Sequence, residues 1–473
     1  MPLSQEPGKP VEVMTNLAEF ERYVGHLCDL LGHADRRAAF MDYSRGLMLP
    51  IERKSVEPLA AHTDPWHVSS KHQSLHHMVA KADWSDEAVL GGVREWASPV
   101  LKLDEECFWI VDDTGFPKKG QHSVGVGRQY CGQLGKQDNC QVAVSLSLAS
   151  ARGSLPIAFR LYLPEEWAND KIRREKAGVP AEIEFVTKPQ IALEQIRTAK
   201  VVGVPVGVVL ADAGYGTSID FRENLSELGL KYCVGVQPAT TVWTAQRAPL
   251  PPKVKKSNRG RPATRLRYAA GHEPISVKEL AFELPRSAWR KISWREGTNT
   301  RLVSRFAALR VRAAHRDYNR SELRDEEWLV IEWPENESEP VHYWLSTLPA
   351  NMALRSIVSI AMTRWRIERD YQELKQEFGL AHYEGRGWRG FHHHATLCIA
   401  AYGFLLSQRL KGGGDKKNSA QSKASLLPEG YTPRGSRKNA TSCSGFHRHA
   451  ALPVGSDHRA TARTLSVLRA LNG

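Results

Sequence analysis

Two short apolar runs constrain this chain more than any other feature. Cys107–Val111 (Cys-Phe-Trp-Ile-Val) ends in Asp112-Asp113, and Val206–Leu210 ends in Ala211-Asp212. Runs this short, without polar alternation, suit strands buried on both faces. Around them, Gln141–Leu148 alternates, Ile157–Leu163 is apolar up to Pro164, residues 187–201 have a helical pattern, and Lys231–Val236 predicts a further strand. Strands interleaved with helices in this order predict a mixed α/β sheet. In such sheets functional side chains gather just beyond the carboxyl ends of strands, where Asp113 and Asp212 fall.

A third acid comes from a predicted helix. The run from Met352 to Phe378 has helical periodicity, with Asn351 as a plausible N-cap and Gly379 as its stop. A helix turns roughly 100° per residue, so Arg364, Glu368 and Lys375 project from one face. Glu373 and Glu377 lie on the same helix; Glu373 falls roughly 140° from that stripe, so Glu368 is the choice. Two carboxylates from strand ends and one from a helix make the oxygen-rich site that Mg²⁺ prefers. Either Asp alone more often just begins a turn. Strand alternation leaves Asp112 as the alternative to Asp113, because only one of the two can face inward.

The rest of the chain divides by texture. Residues 1–100 read as an N-terminal helical domain, in which Ser85 caps a helix to Trp96; DNA contact and packing or dimerisation are equal readings for it. Residues 101–236 hold the first part of the sheet, and 237–345 read as a β-rich insertion with a basic loop. Residues 346–410 carry the Glu368 helix and a second, apolar helix from about His393 to Leu410. Residues 411–473 carry eleven Lys/Arg against three Asp/Glu and read as a basic, disordered tail.

Charge bears on the partner. A net charge of +13 points to a polyanion, with nucleic acid favoured over a membrane surface. Arg247–Arg267 carries eight Lys/Arg and no acid, and Asn258-Arg259-Gly260-Arg261-Pro262 resembles an AT-hook. Arg259 and Arg261 would enter a narrow minor groove, and Lys255 and Lys256 would meet phosphates. His392-His393-His394 cannot converge on one ion from consecutive helical positions, and is expected to add charge near DNA. Trp243, Trp365 and Trp388 are candidates to stack on a displaced base, although each is more often core. The Walker spacing fails around Gly125–Lys136, so no nucleotide cofactor is expected. The N-terminal residues lack an apolar segment, no run is long enough to span a bilayer, and the seven cysteines are scattered. Those features predict a cytoplasmic protein with no membrane partner.

With these residues in view, Arg364, Glu368 and Lys375 match the Arg-x3-Glu-x6-Lys signature of DDE transposases related to the IS4 group. Val111–Gly120, Ser123–Val126, Arg128–Tyr130, Leu210–Gly216 and Gly379–Arg386 resemble the IS701 family, and Arg45–Leu47 with Ile51–Lys54 extends the resemblance upstream. Ala361 departs from the signature, which has Tyr at that position. The resemblance covers roughly residues 15–410. It implies an RNase H-like mixed sheet interrupted by the β-rich insertion. Asp113, Asp212 and Glu368 would be the catalytic, metal-binding acids, with a two-metal Mg²⁺ (or Mn²⁺) site. Arg364 and Lys375 would hold phosphates of double-stranded DNA, at transposon ends and target, within a homodimer. The implied reaction is strand cleavage followed by attack of the freed 3′-hydroxyl on target DNA. Two alternatives are an RNase H-like nuclease without strand transfer and a catalytically inactive DNA-binding derivative.

Overall fold

The computed structural model describes residues 9–245, 247–253, 263–296 and 301–412. These residues form two compact units. One contains residues up to Cys107, Asp112–Pro205 and the chain from Arg366 onward; the other contains Phe108–Val111 and Val206–Trp365.

The first unit opens with five helices: α1 (Lys9–Asp29), α2 (Arg36–Met48), α3 (Val56–Thr63), α4 (Val68–Ala80) and α5 (Asp86–Leu101). The Ser85 hydroxyl accepts the Ala88 N–H at 3.1 Å and starts α5, as its sequence predicted. Strand β1 (Phe108–Pro117) enters this unit at Asp112, followed by β2 (Gly127–Cys131), β3 (Lys136–Ala149) and β4 (Ser154–Leu161). Antiparallel ladders join β2 to β3 and β3 to β4. Helices α6 (Glu165–Ala168), α7 (Lys171–Ala177) and α8 (Lys188–Val201) follow. A Thr187/Gln190 capping box starts α8.

The second unit takes Phe108–Val111 of β1 and pairs it in parallel with β5 (Val208–Ala211), which pairs in parallel with β6 (Tyr232–Gly235). Helices α9 (Ala213–Gly216) and α10 (Ile219–Glu227) connect β5 to β6. Beyond them come β7 (Thr241–Thr244), β8 (Ile275–Ser276), α11 (Val277–Glu283), β9 (Arg290–Glu296), β10 (Arg301–Ala313), β11 (Glu327–Trp333), β12 (His342–Ser346) and α12 (Leu354–Met362). The β-rich stretch does not close on itself. From β6 its ladder runs through β12, β11, β10 and β7 to β8, all antiparallel, and β9 also pairs with β10. Val242, Val277, Leu329, Ile331 and Leu345 form the core there.

The remaining helices of the first unit are α13 (Trp365–Gln376), which belongs to it from Arg366, and α14 (Trp388–Gly412). The single long helix expected over 352–378 is therefore two. Thr363 and Arg364 form a turn between them, with the Thr363 hydroxyl donating back to the Ser359 carbonyl at 2.9 Å. Asn351 is not the cap; Ala353 holds that position. Gly379, at φ 69°, does stop the chain after α13, as expected.

Helix α14 is buried from Phe391 through Ser407, with apolar and small residues all round. This overturns the expectation that the three histidines add charge. The His392 Nε2 accepts the Leu161 N–H at 3.1 Å, and the His393 Nε2 pairs with the Trp84 carbonyl at 3.0 Å. The His394 ring bridges the Gly379 carbonyl at 2.9 Å and the Tyr43 hydroxyl at 2.9 Å. Burial lowers all three to about 4, so they are neutral at physiological pH.

A pH test follows. The unfolded chain takes a proton on His394 below about 6.5, and the folded chain resists until about 4. Its stabilisation is thus complete above 6.5 and lost as pH falls toward 4. Buried Asp86 and Asp370, each pushed up to about 7 by burial, titrate in the opposite sense, so the variant comparison isolates the histidine. In urea melts, the stability difference between the wild type and His394→Gln should grow by roughly 3 kcal/mol from pH 4 to 6.5. A difference independent of pH would mean that His394 is not held neutral.

Candidate active site

Asp113 does not lie past the end of a strand, as its sequence suggested; β1 runs on to Pro117. The parallel ladder with β5 does stop short, at the pair Val111 and Ala211, because β5 has only four residues. The Asp113 carboxylate meets the ammonium of Lys188, at the start of α8, at 2.7 Å. Asp112 turns back on the backbone, its Oδ1 accepting the Asp113 N–H at 2.8 Å. Both acids are half-buried.

Asp212 directly follows Ala211, the last residue of β5. Its Oδ1 accepts the Gly214 N–H at 2.9 Å and caps α9, so the turn-forming role holds whatever else the acid does. The turn lies flat on β6. A Cβ on Gly235 would stand 2.8 Å from the Ala213 nitrogen and 3.1 Å from the Asp212 carbonyl carbon.

Helix α13 supplies a stripe at three- and four-residue steps: Glu368, Tyr371 and Lys375. The Lys375 ammonium donates to the Gly115 carbonyl at 2.7 Å and to the Gln133 Oε1 at 3.1 Å, and it lies 5.0 Å from the centre of the Phe116 ring. Burial lowers it to about 8, against the opposing pull of Cys131 and Asp113. Tyr371 bonds the Ser145 hydroxyl at 2.8 Å; its pKa is raised well above 10, first by burial and then by the Asp112 and Asp113 charges. The stripe therefore faces the Asp112–Phe116 stretch of β1. Glu368 is exposed.

Its neighbours differ. Glu373 pairs with Arg369 at 3.0 Å and also with Arg409, and the two guanidiniums hold it below the usual carboxylate range despite its burial. Arg364 stands in the turn before α13, so helical arithmetic does not place it on the stripe. Beneath the stripe, the buried Asp370 accepts from the Ser154 hydroxyl at 2.6 Å and the Tyr402 hydroxyl at 2.8 Å, which pins α13 to β4 and α14.

Lys188 was not foreseen. The capping box around it is legible, but nothing in the chain order sets it beside Asp113, which lies 75 residues away. Tyr371 was legible as the middle of the stripe. Two of the stacking candidates are core: Trp243 is buried with its indole N–H on the Asp317 carboxylate at 2.8 Å, and Trp388 packs on His392 with ring centres 4.4 Å apart. Lys255, Lys256, Arg259 and Arg261 lie outside the described residues, as does the chain beyond residue 412. Among the described residues, no three or more His, Cys, Asp or Glu side chains are gathered closely enough to hold a metal ion as they stand, and no helix is long and apolar enough to cross a membrane.

Residues 26–301, more than half of the chain, match the sequence model of the family described as DDE superfamily endonuclease. That span includes Asp113 and Asp212 and stops before Glu368. A probable transposase for insertion sequence element IS701 from Microchaete diplosiphon is 33% identical over 202 residues, which is 42% of this chain and 48% of that relative. The chain thus spans about half the length of the curated relative it matches. On the family match the chain belongs to the DDE superfamily of endonucleases, with an IS701-type transposase among its relatives.

Proposed function

We propose that the chain is the transposase of an insertion sequence, which cleaves DNA at the element's ends and joins the freed 3′-hydroxyl to target DNA. The observation that carries this reading is the α13 stripe, in which Tyr371 and Lys375 meet the Asp112–Phe116 stretch of β1 and Glu368 extends the same face. In this proposal Asp113, Asp212 and Glu368 are the metal-binding acids, and Asp112 is the alternative to Asp113. All are hard oxygen donors of the kind Mg²⁺ or Mn²⁺ takes. Asp113 already accepts a cation, the Lys188 ammonium, which supports its fitness for one. When bound, two such ions supply an activated water and stabilise the leaving oxygen.

The chain's own residues do the rest of the positioning. Lys375 grips the Gly115 carbonyl and so fixes β1 just past Asp113. Arg364 and Lys375, with Lys255, Lys256, Arg259 and Arg261, bind DNA phosphates. The parallel pairs of β1 with β5 and β5 with β6, and the antiparallel β3–β4 pair, support an RNase H-like core over 101–236 and 346–410. The β-rich insertion (237–345), an N-terminal helical domain (1–100) and a basic tail (411–473) complete the proposed organisation. A homodimer pairs the two ends.

The test uses a plasmid carrying the DNA that flanks the reading frame. Mg²⁺-dependent breaks at the element's ends, together with joined products, are expected. Asp212→Asn should lose both while still shifting an end-containing duplex in a gel. Unchanged cleavage by that variant would remove Asp212 from the site. Cleavage without joining would favour a nuclease, and no Mg²⁺-dependent cleavage a DNA-binding derivative.

A further inference from the structure

Arg222 of α10 is 2% exposed, and a guanidinium buried that deeply is tolerated only where its charge and its donors are met. Its Nη1 donates to the carbonyl of Gly216, the last residue of α9. Arg222 also bonds the hydroxyl of Tyr232, the first residue of β6. That hydroxyl donates in turn to the carboxylate of Glu327, the first residue of β11, at 2.8 Å. Glu327 is itself buried; burial raises its pKa and the Arg222 charge opposes the rise. A buried cation and a buried anion thus face each other across a phenol.

The Gly216 end of this relay bears on Asp212. The Tyr215 and Gly216 N–H groups return to the Asp212 carbonyl at 3.2 and 2.9 Å. Gly216 is therefore held from both sides, by Asp212 at its N–H and by Arg222 at its carbonyl. Peptide planes are stiff, so a shift of the Gly216 carbonyl is passed back through the turn to Asp212. The next residue of α10, Glu223, makes a useful contrast. It is half-buried and accepts from Arg320 at 2.7 Å and Arg324 at 3.1 Å. Glu223 ties the same helix to the same β-rich stretch, but through side chains that do not touch the Asp212 turn.

We propose that Arg222 is a positioning residue for DNA cleavage: it locks the turn that carries Asp212, and the β-rich stretch supplies its counter-charge through Glu327. This rests on the transposase reading above, in which Asp212 is one of the metal-binding acids. It gives the β-rich stretch a task that requires no contact with DNA, because the place of Asp212 depends on Glu327 being folded against α10.

The experiment compares the full chain with Arg222→Met, with Arg222→Met/Glu327→Gln, and with Glu223→Gln. Each is measured below its melting temperature in two ways: single-turnover cleavage of an end-bearing duplex with Mg²⁺, and hydrogen exchange of the Gly214, Tyr215 and Gly216 amides in metal-free protein. Arg222→Met strands the Glu327 carboxylate and should lower the melting temperature. Its cleavage rate at saturating DNA should fall about a hundredfold, the scale expected of a misplaced reacting group. The half-saturating DNA concentration should stay the same, since Arg222 is buried. The three turn amides should exchange about tenfold faster, as a locally loosened segment does. The double variant removes both charges and should regain most of the melting temperature. Its rate and its exchange should stay impaired, because the Gly216 carbonyl still lacks its donor. Glu223→Gln should match the wild type in both measurements.

Cleavage that recovers with the melting temperature in the double variant would overturn the assignment and leave Arg222 a structural residue. Turn amides as protected in Arg222→Met as in the wild type would also overturn it. If Arg222→Met does not fold, the double variant decides the point by the same two measurements. A wild-type chain that cleaves no end-bearing duplex would overturn the transposase reading, while amide exchange would still decide whether Arg222 holds the turn.

Discussion

Glu368→Gln should lower metal-dependent DNA cleavage by about three orders of magnitude, the loss of roughly 4 kcal/mol of transition-state stabilisation expected when a metal-binding carboxylate is neutralised. Its melting temperature should barely move, because Glu368 is exposed on α13 and its removal opens no core. The informative comparison is Glu373→Gln, five residues along the same helix. Glu373 is largely buried between Arg369 and Arg409. Neutralising it leaves two guanidiniums without their carboxylate, which costs about 3 kcal/mol of stability. Below its melting temperature that variant should still cleave. The two substitutions thus separate chemistry from packing on one helix. An active Glu368→Gln, or a stable but inactive Glu373→Gln, would reverse the assignment.

Gly235→Ala should reduce cleavage about a hundredfold through geometry alone, with every proposed acid intact. The added methyl would press on the Ala213 nitrogen and the Asp212 carbonyl carbon. Both are backbone atoms, so no side-chain rotation relieves the contact, and the turn bearing Asp212 must lift from β6. Overpacking of this kind typically costs about 1–3 kcal/mol. Gly216, on the same turn, is equally confined, its missing Cβ facing the Gly235 carbonyl. Cleavage kinetics alongside thermal melts decide the point. Wild-type rates in a destabilised Gly235→Ala protein would show that the position of the Asp212 turn is irrelevant to the reaction.

Much of the sheet was legible in the chain because burial on both faces leaves a simple mark. The apolar runs at Cys107, Val206 and Lys231 became β1, β5 and β6 within two residues of their expected limits at the ends that matter for the ladder. The far end of β1 was hidden, since Asp112, Asp113 and Gly115 look like a turn until β3 is beside them. The break before α13 was hidden too. Apolar periodicity continues through it, although Thr363 and Arg364 leave the helix and form a turn.

The histidine triplet carries the sharpest lesson. Three imidazoles in a basic chain suggest charge, and the titration of an isolated histidine would allow it. Their neutrality comes from partners far away in sequence: Leu161, Trp84, Gly379 and Tyr43. Short-range pattern cannot report such partners, because hydrogen-bond satisfaction is decided only when the helix is buried.

The sequence by itself determined the alternation of buried strands and helices and the basic balance of the chain, and it led to the proposal of Glu368 over Glu373 from helical angle. These depend on local periodicity and composition, which act within a few residues. Only the tertiary structure decided that Glu373 is bound by two arginines, that Lys188 sits on Asp113, and that Glu327 faces the buried Arg222. Each of these depends on which distant segments displace water from a given side chain, and that is fixed by packing and not by spacing along the chain.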